Sequence, residues 1–272
     1  MKTLVCFKAV PDLELLTEED WAAATNLRVN TGFVKNIINC FDESALEMAL
    51  KLSDYSEGFS ALNELTALTI GEKKSEPFLK NLYALKFGKA VRIESDEDIE
   101  FLPEVTAAVI SRYAANNNQE LIIMGRQSNT GDNSKTPLLV AELLGWPCIT
   151  QVTNIAPDKN CCLQVTNMVD GGTLTQVVKT PCVLAVGNAP CSYMRVPTLK
   201  DKMQYGKRAV EVLDIKDFTQ PFDAAGTDFS CELKNISVID NKRKGIVING
   251  ESPAEKAGIL YHSYLKERLE RL

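Results

Sequence analysis

The chain has 272 residues, 45% of them hydrophobic and 24% charged, with a formal net charge of −6. This is globular composition, enough for one or two domains with a sizeable core. The acid excess argues against nucleic acid as the main partner, and no apolar run approaches the length of a membrane span.

Strands and helices alternate through the first half. The opening MKTLVCFKAVPD carries a strand pattern over residues 3–10; its apolar stretch is too short for a signal peptide and lacks a small-residue cleavage site. A helix is predicted over 42–52, with Asp42 as N-cap and Ala45, Leu46, Ala49, Leu50 and Leu52 as its apolar stripe. A strand over 65–70 stops at Gly71. A helix over 75–87 has Pro77 near its start and Gly88 just past its end. A strand follows over 90–93, then a helix over 103–115 broken by three asparagines. The strand 121–124 leads through a polar loop into a helix over 137–144. Thr136 is its expected N-cap, Pro137 its first residue and Gly145 its stop.

Beyond Trp146-Pro147 the pattern turns to strands, over 150–155, 162–168, 173–178 and 182–186, with Asp170-Gly171-Gly172 as a hairpin turn. From Asn188 the periodicity fades. Lys200, Lys202, Lys207 and Arg208 form a basic stretch, and residues 219–229 read as irregular chain. A final helix is predicted over 252–272, with Ser252 as N-cap, Pro253 at the first position and Glu255 completing a capping box. The expected organisation is an α/β domain over 1–190 and a C-terminal arm over 191–272 that ends in a helix.

Apolar strands alternating with amphipathic helices imply a doubly wound parallel sheet, here with a β-hairpin extension. Ligands on such sheets lie outside the carboxyl ends of the strands, near the point where strand order reverses. That rim receives residues 10–12, the end of the strand at Ile70, and the loop GRQSNTGDNSKT at 125–136. The loop is not a P-loop, because five residues separate Gly125 from Gly131 and Asp132 follows. Nor does the first strand carry the dinucleotide glycine fingerprint. A strand-to-helix loop still suits an anion, since free N–H groups and the positive dipole end meet there. An ordinary polar turn fits the same residues.

Eight cysteines (Cys6, Cys40, Cys148, Cys161, Cys162, Cys182, Cys191 and Cys231) form no C-x-x-C pair, and His262 is the one histidine. Zinc and iron–sulfur sites have little support. Free thiols in apolar runs suit a reducing cytoplasm.

Three stretches carry a resemblance: VCFKAVPD at 5–12, NCFDESALEMAL at 39–50 and GRQSNTGDNSKTPLLVAELLGWP at 125–147. Together, with the hairpin and the tail INGESPAEKAGILYHSYLKERL, they resemble the β subunit of electron-transfer flavoproteins over nearly the whole chain. The resemblance implies an adenine-nucleotide-binding fold and an α-subunit partner that bears FAD. It implies AMP, or the adenosine part of a second FAD, on the sheet rim of this subunit. Matching positions are Cys6 and Lys8 beside the base; Asn39, Cys40, Phe41 and Asp42 around adenine and ribose; and Ile70 at a strand end. Around the phosphates they are Gly125, Arg126, Gln127, Ser128, Asn129, Thr130, Gly131, Asp132, Asn133, Ser134, Lys135 and Thr136. A dehydrogenase docking loop falls at about 190–200, with Val196 at an exposed aliphatic anchor position. The chain departs from the family at Thr130, where an acid is usual, at Lys135, where glutamine is usual, and at Cys40, where proline is usual. The lost carboxylate and the gained Lys135 make the site more positive, which favours a phosphate or pyrophosphate. No acid–base or nucleophilic constellation stands out; the flavins carry the electrons. A stand-alone nucleotide-binding module of the universal-stress or ATP-pyrophosphatase type shares the strand–helix alternation but not these motifs.

Overall fold

A computed structural model describes residues 1–22, 24, 27–56, 64–95, 99–158, 162–190, 193–218, 234–236 and 245–271. The chain opens with β1 (Lys2–Cys6), β2 (Ala9–Pro11), α1 (Glu18–Ala22), β3 (Asn36–Ile38), α2 (Cys40–Ser56) and β4 (Glu64–Ile70). It continues with α3 (Glu76–Ala84), β5 (Lys89–Glu94), α4 (Pro103–Asn116), β6 (Leu121–Gly125) and α5 (Thr136–Leu144). Four strands follow: β7 (Cys148–Pro157), β8 (Cys162–Val169), β9 (Gly172–Lys179) and β10 (Cys182–Val186). Then come α6 (Leu199–Tyr205), β11 (Glu211–Asp214), α7 (Pro253–Leu260) and α8 (Lys266–Leu269).

Among the described residues nine strands form one sheet in the order β11-β5-β4-β1-β6-β10-β7-β8-β9. From β11 to β7 every pairing is parallel; β8 and β9 extend the sheet as an antiparallel hairpin. The chain runs outward from β1 through β4 to β5 on one side, then resumes at β6 on the other, so strand order reverses between β1 and β6. Central strands of such a sheet are covered on both faces and read as continuous apolar runs. All five residues of β6 and of β10 are buried. Alternation along the strands divides the core in two. Val5, Ile123 and Leu184 pack with α2 and α3, while Leu4, Ile122 and Val183 pack with α4 and α5.

Several expectations need correction. The strand expected over 3–10 breaks after Cys6. The chain then turns aside to pair β2 with β3, Val10 opposite Ile37. The helix expected to be capped by Asp42 begins two residues earlier at Cys40, so Asp42 lies inside its first turn. Residues 73–75 form a 3-10 turn before α3, and that helix ends at Ala84. Lys135 holds the N-cap position of α5, which makes Thr136 its first residue. The stretch after Asn188, expected without pattern, contains α6 and the short edge strand β11.

The hairpin is as expected. Asp170-Gly171 joins β8 to β9, with Gly171 at φ 92°, a left-handed conformation that favours glycine. Residues 219–229 and Cys161, Cys191 and Cys231 lie outside the described residues.

The sheet belongs to a compact unit that runs from Met1 to Ile236. A second unit spans Ser237–Leu272. Within it the first half of the predicted capping box is present, the Glu255 N–H donating to Ser252 Oγ at 3.2 Å, while Glu255 Oε2 accepts from the N–H of Glu251, one residue before the cap, at 2.7 Å. A π-helical turn over Tyr261–Leu265 separates α7 from α8. Among the described residues no helix is long and apolar enough to cross a membrane.

Candidate functional site

The reversal of strand order opens a cleft at the carboxyl ends of β1, β4 and β6. Its cavity volume is about 160 Å³, and it opens to solvent at its mouth.

Its floor is organised by Asp42. The Asp42 side chain is 6% exposed and receives three N–H groups from three parts of the chain. Gly125 N–H donates to Oδ1 at 2.7 Å, Lys8 N–H to Oδ2 at 2.9 Å, and Asn39 Nδ2 to Oδ2 at 3.1 Å. Asn39 Nδ2 also donates to the Gln127 carbonyl at 2.8 Å, and the Asn39 N–H to the Lys8 carbonyl at 3.0 Å. The start of α2 is thereby bonded to the ends of both strands that flank the reversal. Burial pushes the Asp42 carboxyl up to about 6, against the opposing pull of those donors and the Lys8 ammonium. Gly125 is required by the same contact. A β-carbon there would lie 2.5 Å from Asp42 Oδ1 and 2.8 Å from Phe41 Cβ. Glycine lets the helix start approach the strand end.

The loop 125–136 forms one wall. The Arg126 guanidinium carbon sits 4.9 Å from the centre of the Phe41 ring. Ser128 Oγ donates to the Thr130 carbonyl, Ser134 Oγ to Gln127 Oε1 at 2.8 Å, and Lys135 N–H to Asn133 Oδ1 at 2.9 Å. The turn uses left-handed backbone at Gly131, Asp132 and Ser134. Lys8 Nζ reaches across to the Thr130 carbonyl at 3.4 Å and stands 3.9 Å from Glu100 Oε1.

Of the residues expected at the site, Cys6, Lys8, Asp42, Ile70, Gly125, Arg126, Gln127, Ser128, Thr130, Asn133, Ser134 and Thr136 line the cleft. Asn39 supports it from behind through its bonds. Phe41 supports Arg126, and Asn129, Gly131 and Asp132 shape the loop away from the lining. Cys40 and Lys135 are exposed. The opposite wall was not foreseen. Ile99, Glu100, Pro103, Thr106 and Ile110, from the approach to α4 and the helix itself, face the cleft, with Phe7, Leu68, Met124 and Pro137 completing it. The sequence does carry a signal for it, because the segment after β5 leaves the same rim as the segments after β1, β4 and β6.

The residues present fit an adenine nucleotide. Asn39 Oδ1, Arg126 Nε and Thr130 Oγ1 are buried without a hydrogen-bond partner. Such groups cost free energy unless something satisfies them. Of these, Arg126 and Thr130 line the cleft, a cation and a hydroxyl that suit the phosphate and hydroxyl groups of a nucleotide. Apolar Phe7, Leu68, Ile70 and Ile110 supply surface for a flat base. Elsewhere on the unit, Val196 is 82% exposed and Tyr193 81%.

The electron transfer flavoprotein domain family matches the chain over residues 27–218. The chain is similar to the Escherichia coli (strain K12) protein YgcR, named as an electron transfer flavoprotein subunit. The two are 30% identical over 272 residues, 99% of this chain and 100% of that protein. It is 27% identical to the acryloyl-CoA reductase electron transfer subunit gamma of Anaerotignum propionicum, over 100% of this chain and 96% of that one. It is also 27% identical to the mitochondrial electron transfer flavoprotein subunit beta of Oryza sativa subsp. indica, over 100% and 97%.

Proposed function

The chain belongs to the electron transfer flavoprotein β-subunit family, and we propose that it is the nucleotide-holding half of a two-subunit electron carrier. The other half is an α subunit bearing FAD. The cleft between β1 and β6 takes AMP or the adenosine part of a second FAD. The observation that carries this reading is the pair of unsatisfied groups Arg126 Nε and Thr130 Oγ1, on two residues that line one cleft at the strand reversal. Lys8 orients the ligand from the β1 side, Arg126 holds its phosphate, and the start of α5 supplies a positive helix end. A bound flavin supplies one- and two-electron chemistry, whereas AMP supplies none and acts as a structural ligand. The residues of this chain bind, orient and exclude water.

A relative named as an electron transfer subunit of acryloyl-CoA reductase supports an assembly in which the carrier meets a dehydrogenase-type enzyme. We assign that contact to the exposed segment around Val196. Free thiols at Cys6, Cys40, Cys148, Cys162 and Cys182 support a cytoplasmic setting within the same reading. This reading replaces a stand-alone nucleotide-binding module of another family.

Heat denaturation of the purified protein should release AMP or FAD at roughly one equivalent, as expected of a single site. A folded, nucleotide-free preparation that binds none of AMP, ADP or FAD in calorimetric titration would overturn the proposal.

A further inference from the structure

Helix α2 serves two places at once. Its first turn carries Asp42, bonded to the ends of β1 and β6 at the cleft. The next residue, Glu43, accepts through Oε1 from the Met194 N–H at 3.2 Å. One turn further, Glu47 receives Arg195 at both ends of its carboxylate. The Arg195 N–H donates to Oε2 at 2.9 Å, Nε to Oε1 at 3.1 Å and a terminal nitrogen to Oε1 at 2.9 Å. Asp54 takes the same guanidinium at 2.8 Å. The Glu47 side chain is only 7% exposed, so water cannot readily replace its partner.

These contacts, with Met194 packed on the core, hold the backbone of a segment that turns other side chains outward. Tyr193, Val196 and Leu199 are 81%, 82% and 75% exposed. An inward pin under three outward apolar residues is the arrangement of a presented surface. Glu47 lies five positions along the helix from Asp42, a rise of roughly 7–8 Å. Over that length a packed helix moves as one body, so a shift of its first turn is felt at the pin.

We propose that Glu47 and Arg195 are positioning residues that tie the surface at 193–199 to the nucleotide cleft through α2, so that a filled cleft firms that surface. The proposal rests on the nucleotide reading of the cleft given above. The bistable element is the segment itself, clamped or released. Linkage is reciprocal, so loss of the clamp weakens nucleotide binding by the factor through which the nucleotide favours the clamped segment.

Hydrogen exchange on the full chain, with and without AMP, tests it. In the wild type, AMP should slow exchange at 125–136 and also, by about threefold or more, at 193–199. Arg195→Ala and Glu47→Gln should each speed exchange at 193–199 and abolish the AMP effect there, while 125–136 remains protected. Arg195→Lys should restore part of the effect, since it keeps the charge but not the forked geometry. Protection of 125–136 by AMP with no change at 193–199 overturns the proposal. Absence of AMP protection at 125–136 counts against the nucleotide reading instead. Asn39→Ala then disturbs the first turn of α2 without a ligand, and it must still speed exchange at 193–199 or the tie does not exist.

Discussion

Asp42 shows how much one side chain can settle. The sequence offered it twice, as an N-cap and as a member of the candidate site. The structure puts Asp42 in the lining of the cleft, and the N-cap expectation fails because the helix already starts at Cys40, two residues past the end of the preceding strand at Ile38. A carboxylate turned inward and met by three N–H groups cannot be told from a cap by spacing alone. Its titration gives a test. Burial raises the folded-state value from 3.8 to about 6, so the folded protein holds this proton over a range where the unfolded chain has lost it. The stabilising contribution is complete below the unfolded value and is lost as pH rises through about 6. The unfolding free-energy difference between wild type and Asp42→Asn should therefore fall, by about 2–3 kcal/mol, between pH 4 and pH 6.5 in urea titrations. A difference that grows with pH would mean that the N–H donors outweigh burial. Gly125→Ala is a second residue-scale test. Its β-carbon has no room beside Asp42 Oδ1 and Phe41 Cβ, and it should cost about 1–3 kcal/mol of stability. A melting temperature equal to wild type would show that the first turn of α2 yields freely.

At the scale of elements, the loop 125–136 and α5 divide the cationic work unequally. Arg126 lines the cleft with a buried, unsatisfied Nε, whereas Lys135 stands exposed at the N-cap of α5. Arg126→Ala should weaken AMP binding by about 1.5–3 kcal/mol, the scale of a hydrogen bond to a charged group. Lys135→Ala should weaken it by less. Calorimetric titration of both variants decides the order, and a larger loss at Lys135 would place its ammonium on the phosphate. The elements that sequence reading found were the long and strongly patterned ones. It missed β11, a four-residue edge strand with only alternate positions half-buried, because a strand that short carries too little pattern to stand out beside a basic stretch. It missed the wall before α4 for another reason. Ile99 and Glu100 look like ordinary loop residues until the strand order places them opposite 125–136.

For the whole molecule, the fold class was legible because parallel sheets force apolar runs and alternating helices. The path of the chain between sheet positions was not, because periodicity gives elements and not their neighbours. The second unit poses a question of assembly. Ile259, Leu260, Tyr261, Tyr264, Leu265 and Leu269 are all exposed, more apolar surface than a free helix usually shows to water. We expect the FAD-bearing α subunit to cover it, in an interface above about 2,000 Å². Co-expression should give a yellow one-to-one complex, and removal of residues 252–272 should weaken it. A shortened chain that binds the α subunit as tightly as the full one would place the interface elsewhere.

The seat of β10 also bears on how this protein is made. It lies between β6 and β7, yet it is synthesised after both, and after the whole β8–β9 hairpin. On the ribosome, β6 and β7 therefore each wait with one bare hydrogen-bonding edge until residue 186 has emerged. Bare edges recruit strands from other chains, so a nascent chain stalled between 158 and 181 exposes two edges that the finished sheet covers. The hairpin can fold on emergence, but β7 can join the sheet only when β10 arrives to bridge the gap.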